Sequence, residues 1–118
     1  MQNHNPPYQY RCVIDRVVDG DTVDVWVDLG FKLKSCQRIR LEGIDTPELR
    51  SSDPDERVRA KAAKVRVEEL CPVGSTVWVY TEKTGKYGRY IGRVYLEATD
   101  TLSLNERLVD EGHAKLMG

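Results

Sequence analysis

The sequence lacks the features that mark membrane-spanning and secreted chains. None of its apolar runs approaches the length of about 20 residues that a helix needs to cross a bilayer. Residues 1–9 form a polar leader with two prolines, and they contain no basic start followed by an apolar stretch, as a secretory signal would. We therefore expect no membrane association, and a cytoplasmic protein or a processed secreted form.

Cysteine and histidine are too few and too widely spaced for a disulfide framework or a zinc site. The three cysteines, Cys12, Cys36 and Cys71, are odd in number and include no Cys-x-x-Cys pair. Neither His4 nor His113 lies at a recognised zinc-ligand spacing from them. The pattern favours free, buried thiols in a reducing compartment.

A large net charge of one sign is also absent, since 18 basic and 19 acidic residues leave a net charge of −1. The charge is nevertheless uneven: residues 15–28 hold five acids and one base, and residues 83–93 hold four bases and no acid. A near-neutral protein does not hold a polyanion by long-range attraction, because such affinity scales with the number of phosphates neutralised. Any phosphate chemistry is therefore expected to be local.

Length and composition indicate one globular domain. The chain has 118 residues, of which 40% are hydrophobic and 31% are charged. A chain of this size buries about two-thirds of its unfolded surface, which is enough for a core without metals or disulfides. We assign the domain to residues 10–118 and expect a monomer.

Period-two patterns predict three strands in succession. Residues 10–18 are mostly β-branched or apolar, and Asp19-Gly20 then favours a tight turn. Residues 23–29 and 34–41 alternate between apolar and polar side chains, and Arg40 falls on the polar face of the third strand. We therefore expect a three-stranded meander.

A helix is predicted after the third strand. Asp53 is expected as the N-cap, Pro54 as the first helical residue and Glu56 as the capping-box partner, with the helix running to about Leu70. Its apolar stripe consists of Ala60, Ala63, Val67 and Leu70.

The remaining elements complete the predicted fold. Residues 75–81 and 89–96 are predicted strands joined by a loop at 82–88, and the capping box Ser103–Glu106 predicts a short C-terminal helix. Five short strands with a helix between the third and fourth match a mainly β fold with α, the five-stranded Greek-key barrel called the OB-fold. That fold commonly binds oligonucleotides or oligosaccharides, but a fold alone does not determine a function.

Four carboxylates fall in two short segments. Asp19 and Asp21 lie on the hairpin turn, and Asp45 and Glu48 lie where the third strand leaves the sheet. Adjacent strands should bring the segments together, and clustered carboxylates with a carbonyl and water suit a hard cation such as calcium. Each segment alone is more typical of ordinary loops than of a metal site, but the two together indicate a site more strongly than either does alone.

Two arginines could accompany such a site. Arg40 lies on the polar face of the third strand, and Arg89 begins the fifth. A guanidinium binds two phosphate oxygens at once, so arginines that face a carboxylate-held metal suggest a phosphodiester centre. A solvated strand face is the alternative, and spacing does not decide between them.

Four motifs, in order along residues 10–116, resemble the staphylococcal nuclease (thermonuclease) family. They are Asp19-Gly20-Asp21-Thr22, Arg40 with Asp45-Thr46-Pro47-Glu48, Lys86-Tyr87-Gly88-Arg89, and Leu104-Asn105-Glu106 before Gly112. Four ordered motifs are much more specific than one short pattern. The resemblance implies an OB-fold barrel and calcium-dependent hydrolysis of DNA and/or RNA phosphodiester bonds.

The resemblance also implies a calcium site and a catalytic glutamate. It implies that Asp21, Asp45 and the main-chain carbonyl of Thr46 are the calcium ligands. It further implies that Glu48 is the catalytic glutamate, which activates or positions the attacking water.

Four basic or aromatic positions are implied to contact the substrate. The resemblance assigns Arg40 and Arg89 to the two arginines that clamp the phosphate. It assigns Lys86 and Tyr87 to positions beside the terminal phosphate of a bound nucleotide.

The alternative to a nuclease is a catalytically inactive OB-fold nucleic-acid-binding module. We favour the enzyme because the carboxylates and arginines are all present.

Overall fold

Nine elements of secondary structure are found in the described part of the chain. The computed structural model describes residues 9–84 and 90–117. The strands are β1 (Gln9–Asp19), β2 (Thr22–Gly30), β3 (Leu33–Leu41), β4 (Ile44–Asp45), β5 (Thr76–Thr84), β6 (Tyr90–Tyr95) and β7 (Lys115–Leu116), and the helices are α1 (Pro54–Leu70) and α2 (Leu104–Asp110). Within these residues, no helix is long and apolar enough to span a membrane.

The five longer strands close into a barrel in the order β1-β2-β3-β6-β5. The first three form the predicted antiparallel meander, and β1 also pairs with β5 to close the barrel. β3 and β6 run parallel, which requires a long crossover, and α1 and β5 lie within that connection. The barrel confirms the predicted class, mainly β with α, and is consistent with an OB-fold.

One strand boundary and two short strands differ from the prediction. β5 extends to Thr84 because its pairing with β6 continues to Tyr90, so the loop predicted at 82–88 begins later. The two-residue strands β4 and β7 pair with each other and were not predicted. They are too short for a period-two pattern to identify them.

The core lies between the barrel strands and α1. Val23, Val25 and Val27 of β2 are buried, as their alternation predicts, but Leu29 at the end of the strand is half exposed. The apolar stripe of α1 is confirmed at three positions, while Leu70 is only partly buried. The three buried helix residues are Ala60, Ala63 and Val67.

The two helices use their predicted caps differently. Asp53 is the N-cap of α1, and its side chain accepts a hydrogen bond from Asp55 N. In α2 the predicted capping box is complete, because Ser103 and Glu106 each bond the other's backbone N–H. The predicted capping box of α1 is wrong, since the Glu56 carboxylate bonds the loop before the helix instead.

A buried asparagine holds α2 against the barrel. Asn105 Nδ2 donates to the carbonyls of Glu42 (2.9 Å) and Gly92 (3.2 Å), and its Oδ1 accepts from Val94 N (3.1 Å). A buried amide with three partners avoids the cost of an unsatisfied polar group. These bonds fix the turn after β3 to β6 and α2.

The three cysteines are free, but they are not equivalent. Cys12 and Cys71 are buried as predicted, and burial raises the pKa of each thiol to about 12. The prediction of a buried thiol is wrong for Cys36, which lies opposite Trp26 on the outer face of the barrel and is exposed.

Candidate active site

The turn between β1 and β2 positions the first carboxylates. Asp19 accepts a hydrogen bond from Asp21 N (3.1 Å), a side-chain bond typical of tight turns. Gly20 permits the turn to approach α1, because a Cβ there would lie 2.8 Å from Ala63 Cβ and 3.1 Å from the Thr46 side chain. The Asp21 side chain is consequently buried beneath the turn.

Asp21 joins this turn to the segment after β4. Its Oδ2 accepts a hydrogen bond from Thr46 N (3.3 Å), and its Oδ1 accepts from Thr22 Oγ1 (3.1 Å). Residues 21 and 46 are 25 positions apart, so only the folded barrel can form the first contact. The two carboxylate segments therefore lie together, as the hairpin pattern predicted.

Arg40 lies between the carboxylates of these segments. It is opposite Thr22 in the β2–β3 ladder, which directs it toward Asp21. Its Nη1 donates to the carbonyls of Leu41 and Ile44, both at 3.0 Å. Its Nη1 is 3.4 Å from Asp21 Oδ2, and its Nη2 is 3.5 Å from Asp45 Oδ1.

We call Asp21, Arg40, Asp45 and Thr46 the polar corner. Arg40 is only 19% exposed there, so the alternative of a solvated strand face does not describe it. Two carbonyls fix the position of its guanidinium while part of the fork faces the carboxylates. A preorganised cation of this kind suits an anionic substrate group.

The two aspartates of the turn have opposite pKa shifts. Burial, followed by a hydrogen bond and repulsion from Asp21, raises the pKa of Asp19 to about 6. Burial opposes ionisation of Asp21 too, but the bond from Asp19, the charge of Arg40 and the N–H of Thr46 lower its pKa. Asp21 is thus the more readily ionised member of the pair and the better cation ligand.

Glu48 lies in a groove beside the polar corner. The groove has a volume of about 610 Å³, and Asp45, Thr46 and Glu48 line it. Its lining also includes Arg59 of α1 and Lys115 of β7. The groove therefore presents both acids and bases to one opening.

Sequence reasoning missed the bases of this groove. Lys115 is opposite Asp45 in the β4–β7 ladder, and strands of two residues leave no pattern to read. Arg59 could have been found, because it follows Glu56 by three residues and precedes Ala62 by three. Residues three apart share a helix face, and all three line the groove.

The described residues include oxygen donors for a cation, although not a cluster of several acids. In residues 9–84 and 90–117, no group of three or more His, Cys, Asp or Glu side chains is arranged to hold a metal. The polar corner offers two carboxylates, and Asp45 and Thr46 also line the groove. Hard divalent cations accept such oxygens together with carbonyls and water.

Three of the predicted site residues lie outside the described part of the chain. These are Lys86, Tyr87 and Arg89. The structure brings four of the other five together in the polar corner, and the fifth, Glu48, lines the groove that Asp45 and Thr46 also line.

Comparisons with known proteins agree with the motifs. The family model described as "Staphylococcal nuclease homologue" matches residues 38–118. The chain is 34% identical over 113 residues to "Endonuclease YhcR" of Bacillus subtilis, covering 90% of this chain and 9% of that protein. It is 30% identical over 111 residues to "Micrococcal nuclease" of Shigella flexneri, covering 89% of this chain and 57% of that protein.

A further relative has no activity in its name. The chain is 36% identical over 85 residues to "Uncharacterized lipoprotein MG186 homolog" of Mycoplasma pneumoniae, covering 64% of this chain and 28% of that protein. The chain thus spans less than two-thirds of the length of each of these three curated relatives. The family match extends over more than half of the chain and includes the end of β3 with Arg40, the segment after β4, and both helices. On this match, the chain belongs to the staphylococcal nuclease family.

Proposed function

We propose that this chain is a calcium-dependent nuclease that hydrolyses phosphodiester bonds of DNA and/or RNA. Relatives named endonuclease and micrococcal nuclease support a nuclease function. The observation that carries the proposal is the polar corner, where Arg40 lies within 3.5 Å of both Asp21 and Asp45. This arrangement offers a cation site and an anion clamp within one small volume.

The proposed cation site consists of Asp21, Asp45 and the main-chain carbonyl of Thr46. An oxygen-only donor set with one carboxylate kept anionic by its neighbours suits calcium. The chemistry that calcium supplies when bound is withdrawal of charge from a phosphodiester oxygen and orientation of the scissile group.

Arg40 would bind the substrate phosphate with the part of its fork that faces the corner. Charge develops on the phosphoryl oxygens as water attacks the phosphorus in line and the leaving oxygen departs. A guanidinium already fixed by two carbonyls stabilises that charge without reorganising. The family resemblance assigns the second clamp to Arg89, and substrate contacts to Lys86 and Tyr87.

Glu48 would activate or position the attacking water. Its exposed side chain lines the groove that Asp45 and Thr46 also line. A carboxylate beside the phosphate site can accept the water proton or hold the water in line through a hydrogen bond. Both roles require the same placement of Glu48.

Cleavage of single-stranded DNA and RNA with calcium, magnesium or chelator tests the proposal. We expect cleavage with calcium, less with magnesium and none in excess chelator, because a flexible oxygen site favours the larger ion. Asp21→Asn should weaken calcium binding while the barrel stays folded. Binding of oligonucleotides without cleavage in calcium would support a binding module instead.

The matched control for Asp21→Asn is Asp28→Asn. Asp28 is on β2, the strand that follows the Asp21 turn, but it lies near the far end of that strand and pairs with Arg11. The Asp28→Asn variant should give the same calcium titration as the wild type. Equal calcium affinity in wild type and Asp21→Asn would remove Asp21 from the cation site.

A further inference from the structure

The loop that carries Glu48 is tied to the first turn of α1. Glu56 Oε2 accepts a hydrogen bond from Glu48 N (3.0 Å), and Glu56 Oε1 accepts from Ser51 Oγ (2.8 Å). The next residue of the helix, Arg57, donates through Nη1 to the carbonyl of Ser51 (2.8 Å). Two successive helix residues therefore hold both ends of the segment 48–51.

α2 shows what a glutamate at this helix position ordinarily does. Glu106, the third residue of α2, accepts hydrogen bonds from Ser103 N and Ser103 Oγ, both at 3.0 Å. Glu106 therefore caps the N-terminus of its own helix. Glu56 is the third residue of α1, yet its carboxylate bonds the preceding loop and leaves Asp53 to cap the helix without it.

We propose that Glu56 is a positioning residue that fixes the main chain of Glu48 and thereby aims the Glu48 carboxylate at the polar corner. The proposal rests on the proposed nuclease function. The hydrogen bond joins Glu56 to the N–H of the very residue whose side chain must reach the attacking water. Misplacement of a catalytic group by about 1 Å can lower a rate about a hundredfold.

The surroundings of Glu56 keep it in the form that this role requires. The N–H of Glu48 and then the hydroxyl of Ser51 lower the pKa of Glu56, and the positive charges of Arg59 and Lys115 act in the same direction. An ionised carboxylate accepts on both oxygens and makes stronger hydrogen bonds than a neutral one. Both oxygens of Glu56 are used in this way.

The first test compares Glu56→Ala with Glu106→Ala, which removes the same residue from the same position of the other helix. We expect Glu56→Ala to lower kcat about tenfold or more, with KM and calcium affinity within about twofold. Glu106→Ala should lose helix-cap stability but keep kcat. Similar kcat values for Glu56→Ala and wild type would overturn the proposal.

A double-mutant cycle shows whether Glu56 acts through Glu48. If it does, Glu56→Ala should have little further effect on kcat in a Glu48→Gln background. Additive losses would assign Glu56 a structural role and overturn the proposal. If Glu48→Gln alone leaves kcat unchanged, the assigned role of Glu48 in the proposed function fails instead.

Hydrogen exchange supplies a readout that does not depend on catalysis. The Glu48 amide should exchange slowly in the wild type and faster in Glu56→Ala, because Glu56 is its acceptor. If Glu56→Ala does not fold, Glu56→Gln replaces it in this test. Glutamine keeps one acceptor oxygen, so this variant should retain part of the wild-type protection and part of kcat. A wild-type Glu48 amide that exchanges as fast as an unbonded one would overturn the proposal even in a protein without nuclease activity.

Discussion

Adjacent residues of one strand contact the polar corner and a cavity within the barrel. Ile39 of β3 is buried and lines this cavity of about 410 Å³, which Val27, Leu29 and Val79 also line. Arg40, the next residue, points the other way and contacts the carboxylates of the corner. The comparison teaches that one step along a strand separates a residue that stabilises the fold from one placed for chemistry.

The largest expected effect is loss of activity at the polar corner. Arg40→Ala should lower kcat about 10²–10³-fold, the cost of removing one preorganised donor to developing charge. Arg40→Lys should be nearly as severe, because lysine keeps the charge but not the planar fork. The measurement is kcat on a single-stranded oligonucleotide in calcium. Near-native turnover in Arg40→Lys would mean that charge alone suffices.

The neighbouring position should show the opposite behaviour. Ile39→Ala should lower the free energy of unfolding by about 2–3 kcal/mol, near the low end for such changes because the side chain already borders a cavity. Its kcat per folded molecule should stay within about twofold. Urea unfolding and active-site titration measure the two quantities. The exposed Leu33→Ala is the control and should change stability by less than about 0.5 kcal/mol.

A smaller effect is expected from the pH dependence of stability in chelator. The folded-state pKa of Asp19 is raised from 3.8 to about 6, so the protonated form is favoured in the folded protein. The contribution of protonated Asp19 to the free energy of unfolding is therefore fully present below pH 3.8 and is lost as the pH rises through about 6.

Asp19→Asn should remove this dependence. Wild-type stability should fall relative to the variant between pH 3.8 and about 6, by a modest amount because Asp19 is only partly buried. Urea unfolding of both proteins across this range measures the difference. Parallel curves would show that the turn does not hold Asp19 protonated.

The smallest effect is expected at the bases of the groove. If the substrate strand passes along the groove, Arg59→Ala should raise KM a few-fold and reduce the salt dependence of binding by about one phosphate contact. Lys61→Ala is the control, because Lys61 is an exposed base of the same helix that does not line the groove. Equal salt slopes for Arg59→Ala and Lys61→Ala would place the strand elsewhere.

Local patterns were sufficient to predict most of the barrel and both helices. The alternation in β2, the Asp53 cap and the Ser103 capping box depend on neighbours in sequence, so they are legible without a structure. Cys36 was mispredicted because the thiol residue type was taken to indicate burial, whereas the alternation of β3 places Cys36 on the same face as Arg38 and Arg40.

The candidate site was less accessible to such reasoning. Motifs indicated which residues to consider, but the contact of Asp21 with Thr46 and the burial of Arg40 result from closure of the barrel. The hydrogen-bond partners of Glu56 could likewise not be predicted from the sequence pattern. The same residue type at the same helix position caps its own helix in one case and bonds the Glu48 loop in the other.

The close approach of Gly20 to Ala63 has an evolutionary consequence. The methyl group of Ala63 and the side chain of Thr46 together fill the space that a methyl group at position 20 would occupy. We expect Ala63→Gly to relieve the 2.8 Å contact that Gly20→Ala would make, at a cost of about 1 kcal/mol in helix propensity, while the Thr46 side chain at 3.1 Å shifts slightly. In a library randomised at positions 20 and 63, alanine at both positions should therefore be rarer among active clones than alanine at either one.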